Sequence, residues 1–302
     1  VTVAPFHPGE RAVQARAGVL DSADHVGRSV RSTVPPVAAA FLADRRMLVL
    51  GAADGAGRLW ATLLTGPAGF VTAPDEHTLA VAARPGPGDP LAEALAGPAK
   101  VGTLALDPAG RRRMRVNGRS RPHGGGLLVD ADQVYANCPR YIQRRRTLEP
   151  AGPASGPVPA RGPAVRGTSL TADQQSRLGA ADTFFVATAD GRGDADASHR
   201  GGNPGFLEVL GPDRLRWPEY PGNTMFMTLG NLEVNPAAGL LLPDWAGGAA
   251  LLLSGTARTV HGNPSGGTAV EFAVTDVVDL PGASPLRWSD PEYSPANPPV
   301  EH

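Results

Sequence analysis

Cysteine is all but missing from this chain. Cys138 stands alone among 302 residues, which excludes an internal disulfide and any C-x-x-C redox or zinc motif. Aromatic residues make up only 5%, and Lys100 is the one lysine, a bias of base composition rather than of chemistry. The formal net charge of -1 leaves no global field to recruit nucleic acid or an anionic membrane, so any cationic site has to be local. Long apolar runs are missing too. No stretch approaches the roughly 18 residues that span a bilayer, and no apolar segment of the signal-peptide kind stands at the start. The seven histidines show no H-x-x-x-H or Cys/His spacing, so no metal site is expected. These absences leave the expectation of a soluble, cytoplasmic protein with no nucleic-acid, membrane or metal partner.

What is present is an internal repeat. Asp54, Gly55, Gly57, Gly66, Gly69 and Phe70 fall without a gap on Asp190, Gly191, Gly193, Gly202, Gly205 and Phe206, an offset of 136 residues. After a small indel Gly102, Asp107 and Gly118 meet Gly239, Asp244 and Gly255. Turn residues at matching places mean matching backbone turns. The period is far longer than the roughly 20 to 50 residues of a solenoid, so each copy is expected to be a domain.

Plentiful Gly and Pro, 38 and 31 residues, suit many short strands joined by turns. In the first copy Pro35-Pro36 opens a helix, "MLVLGAA" and "RLWATLLT" read as a hairpin, and further runs bring the copy to five or six strands. In the second, T-A-D-Q at Thr171 matches a capping box. Strands follow from "TFFVATA" to "AVEFAVTDVVDL", with a helix over "NTMFMTLGNLEVNP". The expected organisation is a tail over 1–29 with a short helix at Glu10 to Arg16, a first barrel over 30–148, and a Pro/Gly-rich linker over 149–167. A second barrel over 168–280 and a C-terminal strap over 281–302 complete it. The fold class is mainly β with small α: tandem antiparallel barrels, each six-stranded, related by a pseudo-twofold axis.

The stretches "ATADGRGDADASHRGGNPGF", "YPGNTMFMTLGNLEVNPAAGLLLPD" and "LLLSGTAR", with "NGR" and "NCPRYIQRR" in the first copy and "LRWSDPEYSPANP" at the end, resemble the pyridoxamine 5'-phosphate oxidase-like family of FMN-binding split barrels. The likeness runs from Phe6 to the C-terminus, and the tail is similar to the ending of the two-barrel, flavin-nucleotide-binding members. It implies FMN in the groove between barrels that both come from one chain, as a monomer with an internal pseudo-dimer or as a homodimer. It further implies a flavoprotein oxidoreductase using a small-molecule substrate, with NAD(P)H as a candidate electron donor. The alternatives are a non-enzymatic flavin-binding protein, or a split barrel holding haem or a deazaflavin.

Carried onto this sequence, the family's phosphate site falls on Ser198, His199 and Arg200 at a strand end, and on Gly222, Asn223 and Thr224 before a helix. Physical chemistry agrees: a guanidinium fork and the free N–H groups of a helix N-terminus both favour a phosphate. His199 is also the one weak catalytic candidate, although strand alternation should turn it away from Ser198 and Arg200. Trp217 and Tyr220 either stack on the flavin or close the barrel. Trp60 and Arg119 could reach the ring system from the first barrel. In that copy the phosphate positions become Thr62, Leu63, Leu64 and Gly88-Asp89-Pro90, where a carboxylate and a missing N–H oppose an anion. One intact and one degenerate site per chain is the expectation. "RRRMR" and Arg144 to Arg146 read as solvated faces, and Cys138 as a buried structural thiol.

Overall fold

The computed structural model describes residues 4–136, 138–148, 162–262 and 267–300. The first barrel is built from β1 (Met47–Ala53), β2 (Leu59–Thr65), β3 (Val71–Asp75), β4 (Thr78–Val81), β5 (Ala99–Asp107), β6 (Arg112–His123) and β7 (Gly126–Ala136). Two short strands follow, β8 (Thr147–Leu148) and β9 (Val165–Gly167). The second barrel comprises β10 (Thr183–Ala189), β11 (Ala195–Gly201), β12 (Glu208–Gly211), β13 (Arg214–Pro218), β14 (Ala237–Pro243), β15 (Ala250–His261) and β16 (Thr268–Leu280), and β17 (Arg287–Trp288) closes the series. Helices α1 (Pro8–Arg16), α2 (Leu20–Gly27) and α3 (Pro36–Ala43) precede the first barrel, α4 (Ala172–Gly179) opens the second, and α5 (Met227–Val234) lies between β13 and β14.

The repeat is visible in the hydrogen bonding. The first sheet runs β2-β1-β5-β6-β7-β4-β3 and the second β11-β10-β14-β15-β16-β13-β12, the same order with every pair antiparallel. Register is reproduced as well: Leu50 faces Thr62 and Gly51 faces Gly102, just as Val186 faces Ser198 and Ala187 faces Gly239. Even the irregularities match, since the ladder slips between Asn117 and Gly118 in one copy and between Ser254 and Gly255 in the other. Each barrel thus has seven strands instead of six. The extra strand comes from splitting the short outer segment into a hairpin, β3–β4 and β12–β13, with its own irregular register.

The barrels pack through equivalent surfaces. β2 lies on β14 and β11 lies on β5, the reciprocal pattern of an isologous interface. Gly102 on β5 meets the Asp196 backbone on β11, and Gly239 on β14 meets the Trp60 backbone on β2; a Cβ at either glycine would overlap the opposing main chain. Near the axis the equivalent residues Gly51 and Ala187 meet each other. Phe185, Ala187, Ala197 and Leu241 of the second copy join the first barrel's apolar core, so the interface continues the core rather than capping it. β1 and β10 are accordingly buried on both faces.

The N-terminal residues differ most from expectation. In place of a tail with one short helix, α1 and α2 form a helical pair docked on α5. Gly9 of α1 and Gly230 of α5 bring the two backbones so close that neither position has room for a side chain. His7 caps α1 and bonds Asn231 through Nε2 at 2.9 Å, while Gln14 donates to the Met225 carbonyl at 3.0 Å. The capping box at Thr171 and Gln174 is formed as its sequence implies. Of the linker, 149–161 lies outside the described residues, and Val165–Gly167 pairs with β16. The chain after β16 crosses both copies: β17 pairs with β8, and Gln143 bonds Ser294 and Asn297.

Candidate functional site

A groove opens where the start of β6 meets the end of β11. It is lined from the first copy by Arg113, Arg115, Cys138, Arg140 and Tyr141, and from the second by Ser198 to Gly201, Pro218 to Tyr220, Gly222 to Thr224 and the first residues of α5. Arg113 and Arg115 share one face of β6 because side chains alternate along a strand. β11 is an edge strand, so the groove wraps around it and reaches both its faces. Ser198 Oγ turns toward α5, 3.1 Å from Thr228 Oγ1. His199 turns the other way, edge-on to Phe185 with ring centroids 5.6 Å apart. The alternation is as expected, yet both residues line the groove.

The charge balance is strongly positive. Arg115 is held by Asp196 at 3.5 Å and donates to Ser198 Oγ at 2.6 Å. Asp196 also accepts from Tyr135 at 2.9 Å, Asn117 at 3.1 Å and Ser198 at 2.9 Å, so this carboxylate is fully committed behind the groove. Arg200 Nη2 faces Glu219 at 3.2 Å and Nη1 donates to the His199 carbonyl. Burial pushes the Glu219 carboxyl up, against the opposing pull of Arg200. Arg113 has no carboxylate within ion-pair distance among the described residues; its one polar contact is His199 Nδ1 at 3.1 Å. Burial, then Arg115 and Arg200, bring its pKa down to about 9, and burial with Arg113 and Arg200 holds His199 well below the usual histidine value. Arg113 Nε, Arg200 Nε and His199 Nε2 are buried without a hydrogen-bond partner. Buried donors of that kind are costly in the absence of an acceptor.

The segment leading to α5 has an unusual backbone. Thr224 and Phe226 adopt left-handed conformations, φ 61° and 57°, although neither is glycine. The helix therefore starts at Met227, later than Asn223 and Thr224, and the expected phosphate turn is a strained loop ahead of the helix. Strain of this kind persists where its surroundings enforce it, here through Gln14 on Met225 and Asn223 Oδ1 accepting from Met225 N.

Of the residues singled out in the sequence, Ser198, His199, Arg200, Tyr220, Gly222, Asn223 and Thr224 line this groove. Three others do not. Trp217 is fully buried inside the second barrel against Phe184 and Phe272, so it closes the barrel. Trp60 is buried in the first core, its indole N–H donating to Asp54 at 3.0 Å. Arg119 is exposed and pairs with Asp132 at 2.6 Å. It lies six residues beyond Arg113 on β6, about 20 Å away at roughly 3.3 Å per residue. The reading of "RRRMR" and Arg144 to Arg146 as solvated faces is overturned for Arg113 and Arg115, and for Arg145, which is buried on Asp182 at 2.6 Å. The signal was in the repeat: Arg113 and Arg115 fall on Ala250 and Leu252 of the second copy, an exchange of charge for apolar surface at equivalent ladder positions. Cys138 is half-buried at the rim rather than enclosed in a core.

The pseudo-equivalent groove is lined by Thr62, Leu63, Leu64, Asp89, Ala250 and Leu280 among others. Leu63, Leu64 and Ala250 stand where the first groove has His199, Arg200 and Arg113. The buried Asp89 carboxylate takes the Thr62 hydroxyl and the Leu91 N–H, and β9 carries Arg166, which donates to the Gly88 carbonyl. Among the described residues no group of three or more His, Cys, Asp or Glu could hold a metal ion, and no helix is long and apolar enough to cross a membrane.

No family model and no curated protein matches the chain. Among solved structures it is similar to a putative pyridoxamine 5'-phosphate oxidase from Lactobacillus delbrueckii, with 19% identity, 36% of this chain and 93% of that one covered, and a TM-score of 0.31. It is similar too to an FAD binding protein from Mycobacterium smegmatis, with 13% identity, 37% and 96% covered, and a TM-score of 0.27. An FMN-binding protein from Syntrophomonas wolfei shares 10% identity over 35% of this chain and 84% of its own, with a TM-score of 0.25.

Proposed function

We propose that the groove holds the phosphate of a flavin nucleotide, FMN, and that the protein is an FMN-dependent oxidoreductase acting on a small molecule. The observation that carries this reading is the convergence of Arg113, Arg115, Arg200 and His199 on one groove, with buried donors left over and Glu219 the one carboxylate in the lining among the described residues. Such an arrangement fits a dianion: the guanidinium groups supply charge and forked donors, and a bound phosphate would offset the burial and, after it, the repulsion from Arg115 and Arg200 that together lower the Arg113 pKa. Ser198, Thr224 and Thr228 would add hydroxyls, and the Tyr141–Tyr220 ring pair, with centroids 5.0 Å apart, offers an aromatic wall beside them. When bound, the flavin supplies hydride chemistry, and the protein contributes position and electrostatics. His199 is held neutral and has no carboxylate partner among the described residues, so its role here is that of a ligand contact rather than a general acid.

The test is titration of the purified protein with FMN and with riboflavin, followed by absorption and fluorescence. FMN is expected to bind about tenfold to a hundredfold more tightly, the range for a charged hydrogen bond of roughly 1.5 to 3 kcal/mol. Equal affinities, or a haem or deazaflavin spectrum in the purified protein, would overturn the assignment. Bleaching of the FMN-loaded protein by NAD(P)H separates an oxidoreductase from a non-enzymatic flavin-binding protein.

A further inference from the structure

We propose that His199 is the specificity-determining donor of this cradle: Arg113 fixes its ring as the Nε2–H tautomer and so presents a neutral N–H to a phosphate monoester. The inference rests on the reading of the groove as a phosphate site and adds how the site selects its ligand. A guanidinium nitrogen can only donate, and Arg113 Nη1 lies 3.1 Å from His199 Nδ1. Nδ1 therefore accepts, and the ring proton sits on Nε2. A protonated ring would set one N–H against another and add a cation to a crowded site. Arg113 and Arg115 face His199 from β6, Arg200 adjoins it on β11, and Arg145 approaches from the chain after β7. Of the nearby carboxylates, Asp196 is spent on Arg115 and Glu219 on Arg200. Phe185 packs edge-on to the ring, with centroids 5.6 Å apart.

Nε2 is buried without a partner in a residue only 4% exposed that lines the groove. With Arg113 Nε and Arg200 Nε it makes three unpartnered donors drawn from both barrels. That number matches the three terminal oxygens of a phosphate monoester and exceeds the two of a carboxylate. A neutral donor adds a directional hydrogen bond without adding to the repulsion that the ligand-free protein carries.

Long-range proton–nitrogen NMR of the ligand-free protein labelled in histidine reads the tautomer directly, with the His199 signal assigned by its loss in His199→Gln. A neutral Nε2–H ring at neutral pH is expected; an Nδ1–H ring or an imidazolium would overturn the proposal. In FMN titrations His199→Asn, which keeps an acceptor near Arg113 but removes the distal donor, should lose about tenfold to a hundredfold, with riboflavin unchanged. His199→Gln, whose amide restores a distal donor, should recover most of that loss. Equal losses in the two variants, or equal losses for FMN and riboflavin, would refute it. Because the tautomer is read without ligand, a failure of FMN to bind the unaltered protein would count against the flavin reading alone, and inorganic phosphate would then be the probe for the same variants.

Discussion

Arg113 and Arg119 occupy the same strand, carry the same charge and differ entirely in circumstance. Arg119 is solvated and paired with Asp132, an arrangement worth roughly 0 to 1 kcal/mol. Arg113 is enclosed beside two other arginines with no carboxylate of its own among the described residues. Arg113→Ala is therefore expected to weaken FMN about tenfold to a hundredfold while leaving riboflavin nearly unaffected, and Arg119→Ala to change neither. Fluorescence titration of both variants checks this, and a matching loss in Arg119→Ala would break the distinction. The family resemblance singled out Ser198, His199 and Arg200, beside Gly201-Gly202 at a strand end, and all three line the groove. Sequence alone misassigned Arg113, because a run of arginines looks solvated until the partner surface that buries it is known. For Trp217 the sequence left two roles open, stacking on a ligand or closing the barrel, and the structure shows the second. The residue's place in the strand, alternating with Leu215 into the barrel, decides its contacts more firmly than its chemistry does.

Among the elements, α1 illustrates what a hydrophobic pattern cannot show. It docks by close approach of Gly9 and Gly230 and by polar contacts from His7 and Gln14, so no apolar stripe marks its buried face. α4 was legible, because a capping box is written in four adjacent residues. The late start of α5 was not, because left-handed Thr224 and Phe226 run against local preference and are held by neighbours distant in sequence. The α1–α5 contact also buries Glu10 beside His7, with Asp190 and Asp196 in range. Burial raises its pKa from 4.5 to about 8. With the folded value above the unfolded one, the native state binds the extra proton between those values, and stability declines as pH rises through that window. Glu10→Gln keeps the acceptor for the His7 N–H that Glu10 provides at 2.7 Å and removes the ionisation. Thermal melts should show the variant gaining stability over the natural chain as pH rises from about 5 to 8, by up to about 1.4 kcal/mol per pKa unit, with no gain at the acidic end. A gain that does not vary with pH would exclude ionisation of Glu10 as its cause.

For the molecule as a whole, two grooves related by one axis have unlike walls. One gathers arginines from both copies; the other carries Leu63, Leu64 and Ala250 at the matching places and a buried Asp89. One FMN per chain is expected by calorimetric titration, and two tight equivalent sites would contradict the distinction, since leucine and alanine in place of Arg200 and Arg113, with the Asp89 carboxylate beside them, disfavour a phosphate dianion. The repeat itself was plain in the sequence because glycine and turn aspartate mark the backbone directly; the unlike walls were only half plain, since they depend on which strand of one copy faces which strand of the other. The joining of the two barrels in one chain has a further effect. In an assembly of identical subunits every substitution is made twice, and a change that ruins one wall ruins its mate. Here Arg113 can persist while Ala250, its counterpart, has a separate codon and a separate history. Inheritance acts on each half by itself, so each half can keep the wall it lends to one groove while its wall of the other groove changes, a division of labour that no symmetric pair of chains can evolve.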